Sequence, residues 1–154
     1  MNIIDTLIGQ LRATFDGRAW HGPSFMYTLE GVDEAQARAR PIKGRHTIWE
    51  IVDHTRYWAE TERGAIQGSE MPNVSTVKDW FPMREEAWED SKARLQAEIE
   101  RLIEAMEGMD VSDLTEIVTG REYTFMDMLY GLVHHNLYHA GQIAILNKPE
   151  NNRP

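Results

Sequence analysis

Apolar residues recur every three or four positions in four stretches of the chain, which is the spacing of one face of an amphipathic helix. The first stretch covers residues 2–16 and ends at Asp16-Gly17. The second follows Thr47-Ile48-Trp49-Glu50, which has the pattern of a capping box, and continues to about residue 67. Each stretch also has a polar face, so each predicts a helix that packs one side against other helices.

Two later stretches have the same periodicity. Residues 84–107 are rich in helix formers, have Ala87 and Trp88 among their apolar positions, and stop at Gly108. The last helix is predicted to be capped by Thr124, to run to about Leu146 and to end at Asn147-Lys148-Pro149. Four long helices and no convincing strand pattern predict an all-α fold, a four-helix bundle.

The connections between these helices differ in length and character. Residues 20–45 are predicted to form a long crossover between the first two helices, with a short helix through Leu29 and another turn capped by Asp33. Residues 68–82 form a loop with an apolar tip, Trp80-Phe81, which either closes over a pocket or meets a second subunit. Residues 115–123 can be extended, but one such segment cannot make a sheet.

Length and composition limit the class of protein. A chain of 154 residues with 42% hydrophobic content is the size of one domain, which we assign to residues 1–154. The N-terminus has no basic region followed by an apolar run, and no segment is long and apolar enough to span a bilayer. We therefore expect a cytoplasmic protein with no membrane partner.

Charge and cysteine content exclude further classes of partner and chemistry. The net charge of −9 and the lack of a clustered basic surface argue against a nucleic-acid partner. The chain has no cysteine, so it has neither a thiolate metal site nor a protein thiol that can act as a nucleophile. Any sulfur chemistry must come with a substrate.

Three histidines fall on apolar lines of two predicted helices. His135 and His139 are four residues apart, which places both imidazoles on one face of the last helix. His54 occupies the equivalent line of the second helix. Buried imidazoles cost free energy unless their nitrogens are paired, so three in one neighbourhood call for a common partner. A divalent metal is such a partner, and three neutral histidines leave it open positions for a ligand.

The alternative to a metal site is that each histidine is an ordinary hydrogen-bonded or surface residue. A zinc-peptidase site is excluded, because Asn136 stands where that motif needs its glutamate base. His134 is rotated by about 100° from His135 and is expected to face solvent or a neighbouring helix. Trp58 is predicted to form a wall of the site. Gln142 is predicted either to orient a ligand or water, or simply to pack between helices.

At these residues the sequence resembles the DinB-like superfamily of metal-dependent enzymes, which includes the YfiT-like hydrolases and thiol-dependent S-transferases. The resemblance rests on residues 20–24, on residues 46–54 and on residues 135–143, which occur in that order and span most of the chain. It implies a bundle with up-down-down-up connectivity. It also implies a metal triad of His54, His135 and His139, with zinc or nickel as the metal, and a dimeric assembly.

Three functions follow as hypotheses. In the first, a low-molecular-weight thiol binds the metal and attacks an electrophilic small-molecule substrate. In the second, metal-bound water hydrolyses an ester or amide. In the third, the site is structural or binds a small molecule without reaction. We favour thiol transfer, because hydrolysis usually benefits from a positioned base and Asp53 is predicted to point away from the metal. The apolar Trp80-Phe81-Pro82 segment makes a homodimer plausible.

Overall fold

The computed structural model describes residues 2–148, which form six α-helices and no strand. The α-helices are α1 (Ile3–Phe15), α2 (Phe25–Thr28), α3 (Glu34–Arg38), α4 (Ile48–Ile66), α5 (Trp88–Glu107) and α6 (Phe125–Leu146), with a 3₁₀ turn at Val111–Thr115. The prediction of a mainly helical protein is confirmed. Within residues 2–148, no helix has both the length and the apolar content to cross a bilayer. Pro149 and the outermost parts of the predicted domain lie outside the described residues.

The helix starts that the sequence predicted are held by reciprocal side-chain caps. At α4, the Glu50 amide donates to Thr47 Oγ1 at 3.1 Å, and the Thr47 amide donates to the Glu50 carboxylate at 2.8 Å. Thr124 and Asp127 make the same exchange at the start of α6. Each cap satisfies amides that have no partner inside the helix, so α4 and α6 begin at fixed residues. These are the two helices that carry the histidines.

The predicted start of α5 at residue 84 is wrong, because the helix begins at Trp88. The Arg38 side chain donates to the backbone carbonyls of Arg84 and Glu86, at 3.4 and 3.5 Å. A tertiary contact therefore binds carbonyls that a longer helix would have used for its own hydrogen bonds. Ala87 is the exposed cap residue and not part of the apolar stripe. The helix is anchored instead by buried Trp88, whose Nε1–H donates to the carbonyl of Val32 at 2.8 Å.

The long helices pack around one core. Helix α4 packs against α5 and α6, and α1 packs against α5 and α6. The predicted line of α6 is buried at Met128, Leu132, His139 and Leu146, and the adjoining line of Leu129, Asn136 and Ile143 is at most 1% exposed. His135 and Gln142, which the periodicity placed on the core line, are only half-buried. His135 consequently lies at the edge of the core, whereas His139 is buried.

Candidate metal centre

Helices α4 and α6 bring three imidazoles together at one point. His135 Nε2 lies 3.1 Å from His54 Nε2 and 3.0 Å from His139 Nε2. The three candidate ligand atoms all lie within 4.8 Å of one another. His54 and His139 are buried and His135 is half-buried. The structure thus assembles the group of three histidines that the sequence predicted, and this group can hold a metal ion.

Hydrogen bonds on the outer side of the cluster fix two of the rings. His54 Nδ1–H donates to the backbone carbonyl of Asp79 at 2.9 Å. His139 Nδ1–H donates to Gln142 Oε1 at 2.7 Å. With the proton on Nδ1 in both rings, each Nε2 presents a lone pair to the centre of the cluster.

This arrangement fits a metal ion better than it fits three histidines alone. A proton on His135 Nε2 can be donated to His54 or to His139, but not to both. One buried lone pair then remains without a donor, and Nδ1 of His135 has no hydrogen-bond partner among residues 2–148. A single divalent cation accepts all three lone pairs at once, and an Nδ1–H bonded to a carbonyl oxygen is the usual support for a ligating histidine.

The electrostatic surroundings keep the imidazoles neutral. Burial, together with the neighbouring His139 and His54, lowers the pKa of His135 to about 3. Burial also lowers the pKa of His139 to about 4, against the opposing effect of the Gln142 hydrogen bond. The pKa of His54 is lowered by burial as well. Neutral imidazole is the form that binds a metal, so the cluster needs no proton loss at pH 7.

The loop between α4 and α5 covers the outer face of His54. The Trp80 ring is stacked on His54, with centroids 3.9 Å apart, and on His46, with centroids 3.4 Å apart. Two imidazoles this close and nearly parallel to one indole must lie on its opposite faces. Trp58 Nε1–H donates to Asp79 Oδ2 at 3.0 Å and so holds the same loop. The loop tip packs within the chain over the centre, and a contact with a second subunit stays a prediction.

A cavity of about 470 Å³ adjoins the centre at His139. Gln142 lines it, together with Trp80 and His46. Trp58 does not line this cavity: it borders the centre at His54, whose ring it meets edge-on, and it binds Asp79. The sequence did not reveal the roles of Asp79 and His46. Residue 79 lies in an irregular loop with no periodicity, and His46 precedes the Thr47 cap, outside the helical spacing that relates the other histidines.

Other polar residues near the histidines in sequence lie apart from the cluster. His134 is exposed, as expected from its rotation. Asn136 is fully buried, and neither polar atom of its side chain has a hydrogen-bond partner among the described residues. Asp53 is 1% exposed, and burial raises the pKa of its carboxyl group. Its nearest cation is Arg56, at 4.0 Å.

Comparison with known proteins gave a match to a protein family and a match to a solved structure. The model of the DinB superfamily matches residues 20–143 of the chain, a range that includes all three histidines. A conserved protein from Enterococcus faecalis, known from a crystal structure, is similar over 95% of both chains with a TM-score of 0.74. The two sequences are 14% identical, so this likeness shows the fold alone. Curated proteins gave no match.

Proposed function

The chain belongs to the DinB superfamily, and from that membership we propose that it is a metal-dependent enzyme whose zinc or nickel ion is held by His54, His135 and His139. The observation that carries the proposal is the convergence of three Nε2 atoms, two of them with Nδ1–H bonded to an oxygen acceptor. A divalent ion at such a site lowers the pKa of a bound thiol or water and supplies a nucleophile at neutral pH.

We further propose that the reaction is transfer of a low-molecular-weight thiol to an electrophilic small molecule. The thiol must be external because the chain has no cysteine. With a chlorinated substrate, the sulfur forms a bond to the electrophilic carbon, chloride leaves with the bonding electron pair, and the thiol proton passes to solvent.

The carboxylates closest to the centre support thiol transfer over hydrolysis, which needs a base for water. Asp79 Oδ2 accepts the Trp58 Nε1–H and lies 3.6 Å from Nδ1 of His54, on the outer side of that ring. Asp53 lies on a different face of α4 from His54 and is buried. Neither carboxyl group belongs to the cluster of ligand atoms, and neither oxygen of Asp53 has a hydrogen-bond partner among the described residues.

The four long helices, α1, α4, α5 and α6, are proposed to form the up-down-down-up bundle of the family. Support comes from the contacts of α1 and of α4 with both α5 and α6, and from the long connection between α1 and α4, residues 16–47. In that connection, α2 packs against α6 and α3 packs against α4.

The activity test compares thiols and water as nucleophiles. Protein loaded with zinc or nickel is incubated with 1-chloro-2,4-dinitrobenzene and a set of low-molecular-weight thiols, and separately with p-nitrophenyl acetate without thiol. The proposal expects thiol-dependent release of chloride that His135→Ala abolishes and His134→Ala retains. Ester hydrolysis without thiol, and no thiol transfer, would establish the hydrolase alternative. Loss of neither activity in His135→Ala would separate catalysis from the histidine cluster.

A further inference from the structure

The cavity beside His139 has the size of a small-molecule site. Its volume of about 470 Å³ falls within the range of roughly 300–1,000 Å³ that is usual for such sites. His139 and Gln142 form one part of its wall, and Trp80, which stacks on His54, forms another. A molecule bound there lies next to the metal ligands.

Of the described residues that line the cavity, one has a permanently charged side chain, Arg45. Its guanidinium has no ion pair or hydrogen bond within the described part of the chain. Most other arginines are paired, for example Arg12 with Glu100 at 2.9 Å and Arg40 with Glu50 at 2.8 Å. An unpaired guanidinium at a cavity wall is available to a ligand, and carboxylate is the group that it binds with best geometry.

Among residues 2–148, no carboxylate lines this cavity, although the whole chain has a net charge of −9. The acidic group that reaches its edge is Glu50, which is 3.3 Å from Nδ1 of His46. Its two oxygens already accept hydrogen bonds from Arg40 and from the Thr47 amide, each at 2.8 Å. The local charge at the cavity is therefore opposite to the overall charge of the protein, which favours an anionic ligand.

The rest of the wall is apolar and aromatic. Ile42, Ile51 and Leu146 supply branched side chains, and Tyr138 and Trp80 supply aromatic rings. Both faces of the Trp80 indole are covered by imidazoles, so a ligand meets its edge. Such a wall accommodates a compact apolar body, and the polar groups at Arg45 and Gln142 orient it.

We propose that this cavity binds the electrophilic substrate, and that the substrate is a small carboxylate with a flat or branched apolar body whose charge is held by Arg45. The inference rests on the proposed function in one respect: it names the substrate class of that metal centre. Binding itself is a separate property and is measured without turnover.

The test uses phenylacetate and its neutral counterpart phenylacetamide as probes, with binding followed by calorimetry on the metal-loaded full chain. A charge-assisted hydrogen bond from a solvent-exposed guanidinium predicts a preference for the acid of about 5- to 10-fold. Arg45→Gln is expected to remove this preference, and Arg45→Lys to retain part of it. The matched control is Arg18→Gln, because Arg18 is also exposed and unpaired among the described residues but lines a different cavity.

Four results would overturn the inference: equal binding of the two probes, no binding of either, a preference that survives in Arg45→Gln, or an equal loss of preference in Arg18→Gln. The metal content of each sample separates this inference from the proposed function. An Arg45-dependent preference in protein that holds no metal supports the anion site and contradicts the metal enzyme. Bound metal without a preference for the acid supports the metal centre and contradicts the anion site.

Discussion

The contact between α4 and α6 contains buried polar side chains at two levels, and it accommodates them in opposite ways. At one level, three histidines direct their Nε2 atoms at a common point. About two helical turns further along α4, Glu62 is buried beside Met128 and Gly131 of α6, at a cavity of about 280 Å³. Its Oε2 has no hydrogen-bond partner among residues 2–148, and burial raises the pKa of this carboxyl well above its usual value.

The difference shows how the surroundings decide the state of a buried ionisable group. The histidines keep their neutral form and have two outer acceptors, Asp79 O and Gln142 Oε1, so their inner nitrogens are oriented for a shared cation. Among residues 2–148, Glu62 has neither an outer partner nor a nearby opposite charge, so it becomes neutral by keeping its proton. The supporting hydrogen bonds thus distinguish the histidine group, which can hold a metal ion, from the buried Glu62.

The largest effect is expected from the metal itself. Zinc or nickel at 1,000 times its dissociation constant should raise the free energy of unfolding of metal-free protein by ~4 kcal/mol, because only the folded chain assembles the three ligands. His135→Ala should lose this stabilisation, whereas His134→Ala, at the exposed neighbouring position, should keep it. Denaturant unfolding with and without metal makes the comparison. Equal stabilisation of the two variants would place the metal elsewhere.

The outer hydrogen bond to His139 provides the next test. Gln142→Ala removes the acceptor of the Nδ1–H and should weaken metal binding by about 10- to 100-fold, the usual effect of losing such a partner. Gln142→Glu keeps an acceptor and should restore most of the affinity. Competition with a chromogenic chelator measures both. Exposed Gln10 on α1 serves as the control, and a loss of the same size in Gln10→Ala would contradict a specific role for Gln142.

Buried Glu62 is expected to make the stability of the folded state depend on pH. Because the folded state holds a proton that the unfolded chain releases above its ordinary pKa, wild-type stability should fall as pH rises, by up to about 1.4 kcal/mol per pH unit. Glu62→Gln removes this titration, so its stability advantage should be small near pH 4.5 and should grow with pH. Urea unfolding from pH 5 to 8 tests the sign. Exposed Glu116→Gln should show no such trend.

The smallest effect concerns the loop that covers His54. Trp58→Phe keeps the aromatic packing and removes the Nε1–H that binds Asp79 Oδ2, a hydrogen bond worth ~1 kcal/mol. Because Asp79 in turn accepts from His54, metal affinity should fall by no more than about fivefold. The matched change Trp88→Phe removes an Nε1–H that binds Val32 and should reduce stability without changing metal affinity.

Periodicity and caps were sufficient to predict most of the fold and the histidine cluster. His54, His135 and His139 lie on regular helices, so their spacing in sequence gives their relative directions. Asp79, Trp80 and His46 lie in irregular segments, and their positions depend on a chain path that no repeating pattern describes. The start of α5 was misplaced for a related reason, because Arg38 binds the backbone carbonyls of Arg84 and Glu86 from a distant part of the chain.

The central claim is that three histidines at the α4–α6 contact hold one divalent ion. The most direct measurement is the metal content of protein that has been stripped with chelator, reloaded with zinc or nickel and freed of excess metal. We expect one ion per chain in the wild type and in His134→Ala, and none in His54→Ala, His135→Ala or His139→Ala variants that remain helical by circular dichroism. A wild-type chain that retains no metal, or triad variants that retain as much as the wild type, would contradict it.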